Sequence, residues 1–240
     1  MHLPGPYATL ADAWSAADVL VDAADPAEPL TVIGDFVIPP VDGSATRDFQ
    51  TLHLDFGLPL SPTRPTDVAR FTALHIAEGT PPPDAVTRLV PLRSLLGPSQ
   101  VEREETLARL ARYGETHGAW DDADGYTEGS LARIVEAALG ARPVLASVKT
   151  TAGFLCGTEF GSLDDEVAFF AERGIRLDLL GAEVCLQPGQ LLVFDNLSLA
   201  HGRRGRRRPG ELHQRLFGHR AVPPEAQAVL RDRTLDTLLA

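Results

Sequence analysis

Residues 189–203 read GQLLVFDNLSLAHGR and indicate the fold more clearly than other parts of the chain. The apolar run Leu191–Phe194 has the length and composition of a buried β-strand, and it ends in the polar pair Asp195-Asn196. His201 follows just past this strand, where we expect a loop to direct its imidazole into a cavity. The stretch therefore predicts a strand that presents a chemically active side chain beyond its end.

A second strand-like run, residues 51–57, reads TLHLDFG. Successive side chains of a strand point to opposite faces, so His53 and Asp55 share one face and the apolar residues share the other. An imidazole and a carboxylate two residues apart on one face can bind a single metal ion. The same triplet is also typical of an ordinary, partly exposed strand face, so it needs support from elsewhere in the chain.

That support comes from His201 and from Arg215, which lies in the middle of the strand-like run Leu212–Phe217. An arginine inside such a strand needs an anionic partner, because burial of an unpaired charge is costly. Two histidines and one carboxylate form the facial triad of non-haem Fe(II) oxygenases, which leaves three coordination positions open. A bidentate 2-oxo acid and O2 fill these positions, and an arginine suits the far carboxylate of 2-oxoglutarate.

The pattern of His53-x-Asp55, then His201, then Arg215 resembles the Fe(II)/2-oxoglutarate-dependent oxygenases, in particular the taurine dioxygenase and clavaminate synthase-like group. Residues 187–196, QPGQLLVFDN, run into His201-Gly202-Arg203 and are similar to the distal-histidine strand of that group. The resemblance spans about residues 49–220.

This resemblance implies that His53, Asp55 and His201 bind Fe(II) and that Arg215 anchors the C5 carboxylate of 2-oxoglutarate. Thr87 matches a threonine of the family that contacts the same co-substrate, although it is equally typical of a plain strand. The implied reaction consumes O2, converts 2-oxoglutarate to succinate and CO2, and hydroxylates an unactivated C–H bond. Desaturation, cyclisation and epoxidation stay open, and an amino acid-like or specialised-metabolite substrate is implied by the family alone.

Four further residues are candidates for the substrate side. Arg203 follows His201 closely and can meet an anionic group, although the arginine-rich run 203–208 is also typical of a solvated loop. His213 would share the face of Arg215. Trp120 and Tyr126 lie in the acidic stretch 114–129, which can close over a cationic or amine-bearing substrate or can be a solvated loop.

The periodicity of the chain predicts many short strands and a few amphipathic helices. Strands are expected at Leu30–Ile38, Phe49–Phe56, Val68–Ile76, Ala85–Val90, Pro143–Thr150 and Glu211–Val222, with a hairpin formed by Glu183–Leu186 and Gln190–Phe194. Helices are expected at Ala8–Val21, Val101–Tyr113, Thr127–Leu139, Leu163–Arg173 and Pro224–Leu239. This order favours a mainly β chain, a jelly roll or double-stranded β-helix with flanking helices and a helical insert. We expect one domain over residues 1–240, with its core at about 30–222, the insert at about 98–140 and a C-terminal helix at about 224–239.

Composition excludes several classes of function. The 240 residues carry a formal net charge of −11, so a broad nucleic-acid interface is not expected. Lys149 is the only lysine, and the chain has neither a phosphate-binding P-loop nor an apolar run long enough to span a membrane. The N-terminus lacks the pattern of a secretory signal, and two cysteines cannot form a disulfide framework. We therefore expect a cytoplasmic protein that binds a small molecule and no membrane, and that can form a homo-oligomer.

Two rival interpretations remain at this point. A cupin-like metal-dependent isomerase or a zinc hydrolase would explain His53, Asp55 and His201 but would leave Arg215 without a task. A non-catalytic binding protein on the same barrel would bind metal without turnover of 2-oxoglutarate.

Overall fold

The fold is known from a computed structural model that describes part of the chain. The described residues are 2–3, 5–7, 9, 12, 14–16, 30–38, 49–53, 71–106, 108, 160–206, 208, 210–220, 236 and 239. Several predictions lie outside them: the strand at Pro143–Thr150, the helix at Thr127–Leu139, and most of the helical insert and of the C-terminal helix. Three of the predicted site residues also lie outside the described residues: Asp55, Trp120 and Tyr126.

The described strands form two sheets in which every neighbouring pair is antiparallel. The strands are β1 (His2–Leu3), β2 (Leu30–Ile38), β3 (Phe49–His53), β4 (Phe71–Glu78), β5 (Val86–Pro91), β6 (Ala182–Val184), β7 (Leu191–Asp195), β8 (Leu199–Arg204) and β9 (Leu212–Arg220). The larger sheet has the order β1-β7-β4-β9-β2 and the smaller one β3-β8-β5-β6. The prediction of a mainly antiparallel β fold with some helices is thereby confirmed.

In the described part of the chain the sheets are accompanied by the short helices α1 (Leu92–Leu96), α2 (Leu163–Ala171) and α3 (Leu177–Leu180), and residues 100–106 are also helical. Helix α2 coincides closely with the predicted helix Leu163–Arg173. Its start is well defined, because Ser162 Oγ accepts the N–H of Asp165 and the first turn holds three acidic residues. No helix among the described residues combines the length and the apolarity that crossing a bilayer requires.

Two apolar clusters enclose the smaller sheet. One lies between the sheets and joins Leu89 of β5 to Leu192 and Phe194 of β7. The other lies on the far face of the smaller sheet, where Leu52 and Ala200 pack with side chains of α2 and α3, among others. Strand residues alternate between these two clusters, as the two-residue period of a strand requires.

The predicted hairpin between Glu183–Leu186 and Gln190–Phe194 is wrong. Strand β6 pairs with β5 in the smaller sheet, whereas β7 pairs with β4 and β1 in the larger one. The Gln187-Pro188-Gly189 turn therefore carries the chain from one sheet to the other. Turn residues mark a reversal of the chain, but they do not determine whether the strands on either side pair with each other.

A buried ion pair connects α2 to the smaller sheet. Glu166 of α2 is completely buried, and its Oε2 accepts a hydrogen bond of 2.6 Å from Nη1 of Arg88 on β5. Its Oε1 accepts the backbone N–H of Leu52 on β3 at 2.7 Å. One carboxylate thus joins a helix to two strands that are not neighbours in the sheet.

We predict that Arg88→Ala lowers the free energy of unfolding by about 3–5 kcal/mol, because it leaves the buried Glu166 carboxylate without its cation. The matched control is Arg204→Ala, which breaks an exposed ion pair of the same length, 2.6 Å, with Glu183. Arg204→Ala should lower the free energy of unfolding by about 1 kcal/mol or less, because water solvates the remaining Glu183 carboxylate. Urea unfolding of both variants checks this, and similar losses in the two would contradict it.

Candidate metal centre

His53 and His201 meet across the β3–β8 pair. The two residues are register partners, both are buried, and their ring centroids are 4.1 Å apart. His201 lies inside strand β8, so the expectation that a loop beyond β7 carries it is wrong. The reason is that Leu197 and Ser198 reverse the chain directly after β7, and a new strand begins at Leu199.

An irregularity in β3 brings His53 to this position. Gln50 pairs with Arg203 and His53 pairs with His201, so Thr51 and Leu52 together oppose the single residue Gly202. Two residues against one is a β-bulge. Continuous pairing from Gln50 would instead set Leu52 opposite His201 and turn His53 to the far face. The bulge therefore determines that the two imidazoles face each other.

Gly202 fits the bulge because it lacks a side chain. A Cβ at this position would lie 2.6 Å from the carbonyl oxygen of Gln50 and 3.1 Å from the carbonyl group of Thr51. Both neighbours are backbone atoms, which cannot move aside as a flexible side chain can. Position 202 therefore accepts the bulge only as glycine.

The hydrogen bonds of His53 define which ring nitrogen can bind a metal ion. Its Nδ1 is 2.9 Å from the carbonyl oxygen of Thr51, which only accepts, so we place the ring proton on Nδ1. Nε2 then carries the lone pair, and the side-chain amide of Gln50 lies 3.4 Å from it. A metal-binding histidine commonly donates its other N–H to a carbonyl in this way.

The environment of His201 is largely apolar. The ring of Phe194 on β7 lies 4.8 Å from the His201 ring between centroids, and Leu89 is the register partner of His201 on β5. The imidazole pair thus lies between the two sheets, beside the apolar cluster that joins them.

These observations fit two of the three ligand positions predicted from the sequence. His53 and His201 supply two imidazoles on one face. The third predicted ligand, Asp55, lies outside the described residues. Within the described ranges, no group of three histidine, cysteine or carboxylate side chains is arranged to hold a metal ion.

Thr87 and Arg203 are register partners on the same face as His201, and both are half-buried. Arg203 therefore belongs to strand β8, and so does Arg204, which is exposed and pairs with Glu183. The interpretation of the whole run 203–208 as a solvated loop is wrong for these two residues, because both continue the ladder with β5.

The remaining predicted residues lie on or beside β9. The backbone of Arg215 stands opposite Leu74 of β4, whose side chain packs against the cluster between the sheets. His213 is half-buried, and its Nε2 lies 2.9 Å from Oε2 of Glu211. The roles predicted for Thr87, Arg203, Arg215 and His213 stay predictions.

Sequence reasoning missed Arg88, Glu166 and Gly202. A signal was present for two of them. Arg88 stands inside the strand-like run VTRLV, so it needs an anionic partner for the same reason as Arg215. Glu166 precedes the buried Phe170 by four positions on α2, which places both on one face of the helix.

No protein-family model matches the chain, and no curated protein matches it in sequence. Similar solved structures include an asparagine oxygenase at 18% identity and a TM-score of 0.38, over 76% of this chain and 54% of that one. Asparagine oxygenase in complex with Fe(II), 2S,3S-3-hydroxyasparagine and succinate is 16% identical, with a TM-score of 0.38 over 90% of this chain and 69% of that one. The non-haem iron oxygenase OrfP with Fe and alpha-ketoglutaric acid is 10% identical, with a TM-score of 0.35 over 78% and 57%. This chain spans little more than half of the first asparagine oxygenase and of OrfP.

We predict that Gly202→Ala destabilises the protein by about 1–3 kcal/mol, because the new methyl group overlaps the backbone of the bulge. Gly161→Ala is the control, since a Cβ there meets only the carboxylate end of Asp165, at 3.3 Å. Thermal or urea unfolding of the two variants makes the comparison. A Gly202→Ala protein as stable as the control would show that β3 is not bulged at this point.

Proposed function

We propose that the chain is an Fe(II)- and 2-oxoglutarate-dependent oxygenase. The observation that carries the proposal is the buried pair of His53 and His201, which face each other at one register position between two antiparallel sheets. We further propose that the two sheets are the halves of a double-stranded β-helix and that residues 1–240 form a single domain.

His53, through Nε2, and His201 would hold the metal together with Asp55. The strand period supports Asp55, because it follows His53 by two residues and a continued strand gives both the same face. Bound Fe(II) would supply the site where a 2-oxo acid and O2 combine and where a C–H bond of the substrate is oxidised.

The other residues of the chain would bind, orient and exclude water. The hydrogen bond between His53 Nδ1 and the Thr51 carbonyl holds the imidazole plane and its tautomer. Phe194, whose ring lies 4.8 Å from the His201 ring, and Leu89, the register partner of His201 on β5, would limit the access of water to His201. Arg215 would anchor the C5 carboxylate of 2-oxoglutarate, with help from Thr87, because a guanidinium binds a carboxylate through two parallel hydrogen bonds.

The proposed substrate is a small amino acid-like molecule, and hydroxylation is the proposed outcome. Arg203 supports this choice, since this half-buried residue belongs to the face of β8 that carries His201 and its guanidinium suits an anionic group. We propose His213, Trp120 and Tyr126 as further residues that contact the substrate. The net charge of −11 speaks against a nucleic-acid substrate.

We predict that His53→Ala, Asp55→Ala and His201→Ala each abolish succinate formation and reduce Fe(II) binding, because the remaining ligands cannot hold the ion. The measurement is succinate release with Fe(II), ascorbate, 2-oxoglutarate and a panel of amino acids, together with the mass of the product. His75→Gln is the control, since this buried histidine of β4 lies in the larger sheet, away from the β3–β8 pair.

The same assay separates the rival functions. Metal binding without 2-oxoglutarate turnover, in the presence or absence of any tested substrate, would favour a binding protein. Isomerisation or hydrolysis that needs no 2-oxoglutarate would favour a cupin-like enzyme. Either result would contradict the proposal, as would full activity in a folded variant of His53 or His201.

We predict that Arg215→Ala raises the KM for 2-oxoglutarate by at least about 30-fold, since truncation of a buried charge pair costs about 2–5 kcal/mol. Fe(II) binding should change little. Arg215→Lys should recover part of the loss, because an ammonium group cannot form the two parallel bonds. Arg176→Ala, which alters only an exposed ion pair with Asp178, is the control. An unchanged KM in Arg215→Ala would assign the anchor to another arginine, such as Arg208 or Arg220.

A further inference from the structure

The bulge in β3 is bonded on its far side to a buried carboxylate. At Leu52 the ladder with β8 is interrupted, and the Leu52 N–H donates to Glu166 Oε1 at 2.7 Å. Glu166 has no exposed surface, and it approaches from α2, on the face of the sheet opposite to the two imidazoles. The carboxylate therefore binds the one strand segment whose irregularity turns His53 towards His201.

Arg88 extends this contact to β5. The carboxylate of Glu166 contacts β3 through the Leu52 N–H and β5 through Arg88. Arg88 is the register partner of Gly202, so strand β8 lies between the two contacts. A carboxylate that binds strands on both sides of β8 resists a slip of either one. It also accepts hydrogen bonds on both oxygens, which compensates for its burial.

A slip of one residue in β3 would have a specific consequence. It would bring Leu52 opposite His201 and move His53 to the far face, because the side-chain period of a strand is two. The pair of imidazoles would be lost, and Leu52 would leave the apolar cluster on the far face of the smaller sheet. The register of β3 therefore determines both the pairing of the two imidazoles and the packing of Leu52.

We propose that Glu166 is a positioning residue of the metal centre, which keeps His53 opposite His201 by holding the Leu52 N–H of the bulge. This inference rests on the proposed metal site at His53 and His201. Arg88 serves as the counter-ion that allows the carboxylate to stay charged and buried.

The decisive comparison uses two double variants that both lack the buried charges. Arg88→Met/Glu166→Gln retains an acceptor for the Leu52 N–H, and Arg88→Met/Glu166→Met has nearly the same shape but no strong acceptor. The measurements are Co(II) titration, followed by its visible absorption, and residue-resolved amide exchange of the metal-free protein at residues 49–53. Ser162→Ala is the control for general destabilisation, because it removes the cap of α2 without touching β3.

We expect the glutamine variant to bind Co(II) within about threefold of the wild-type protein, since its amide oxygen replaces Oε1. The methionine variant should bind Co(II) about 10- to 100-fold more weakly, the range found when groups that orient metal ligands are lost. Its amides at 49–53 should exchange faster than those of the glutamine variant. Ser162→Ala should lower the melting temperature and leave the Co(II) affinity unchanged.

Equal Co(II) affinity in the two double variants would overturn the inference and leave the proposed function intact. Failure of the wild-type protein to bind Co(II) in a manner that depends on His53 would overturn the proposed function and the inference together. If the methionine variant does not fold, amide exchange of the wild-type protein decides. A Leu52 amide that exchanges by local opening rather than by global unfolding would then overturn the inference.

Discussion

The position of His53 opposite His201 depends on one extra residue in β3. At the bulge, two residues of β3 lie opposite a single residue of β8. A strand has only two faces, so one extra residue exchanges the inner and outer sets of side chains from that point on. Before the bulge, Gln50 faces the space between the sheets; after it, His53 does so. The pairing of the two imidazoles, the place of Leu52 in the far apolar cluster and its contact with α2 all follow from this exchange.

The buried pair of Arg88 and Glu166 is best understood in the same terms. Removal of two charges from water is expensive, and an apolar pair of similar volume often gives equal or greater stability. A gain in stability is therefore a weak reason for such a pair. Its geometry suggests that the pair contributes specificity instead. A buried carboxylate excludes strand arrangements in which either of its oxygens would lack a hydrogen-bond donor, whereas apolar contacts do not exclude such arrangements. In this chain the arrangement that satisfies both oxygens is also the one that joins the two imidazoles.

Local strand patterns could be predicted from the sequence, but the pairing of distant strands could not. Alternation correctly separated His53 from Leu52, and the strand boundaries of β2 and β5 agree closely with the patterns Leu30–Ile38 and Ala85–Val90. The bulge was not predictable, because it depends on how β3 aligns with β8, a strand far away in the chain. The false hairpin after Glu183 has the same origin: local turn residues do not specify which sheet the next strand joins. Glu166 was overlooked because an acidic residue in the first turn of a helix normally faces water.

The contacts at the bulge join parts of the chain that are distant in sequence. Leu52 and Glu166 are 114 positions apart, and Arg88 and Glu166 are 78 positions apart. Closing loops of this length costs entropy before any contact is gained. His53 and His201 are likewise distant in sequence, so a metal ion at the candidate centre would not nucleate folding as it does in a zinc finger. An ion bound at the candidate centre would stabilise the folded protein by mass action, so its effect on the melting temperature would grow with the concentration of free metal.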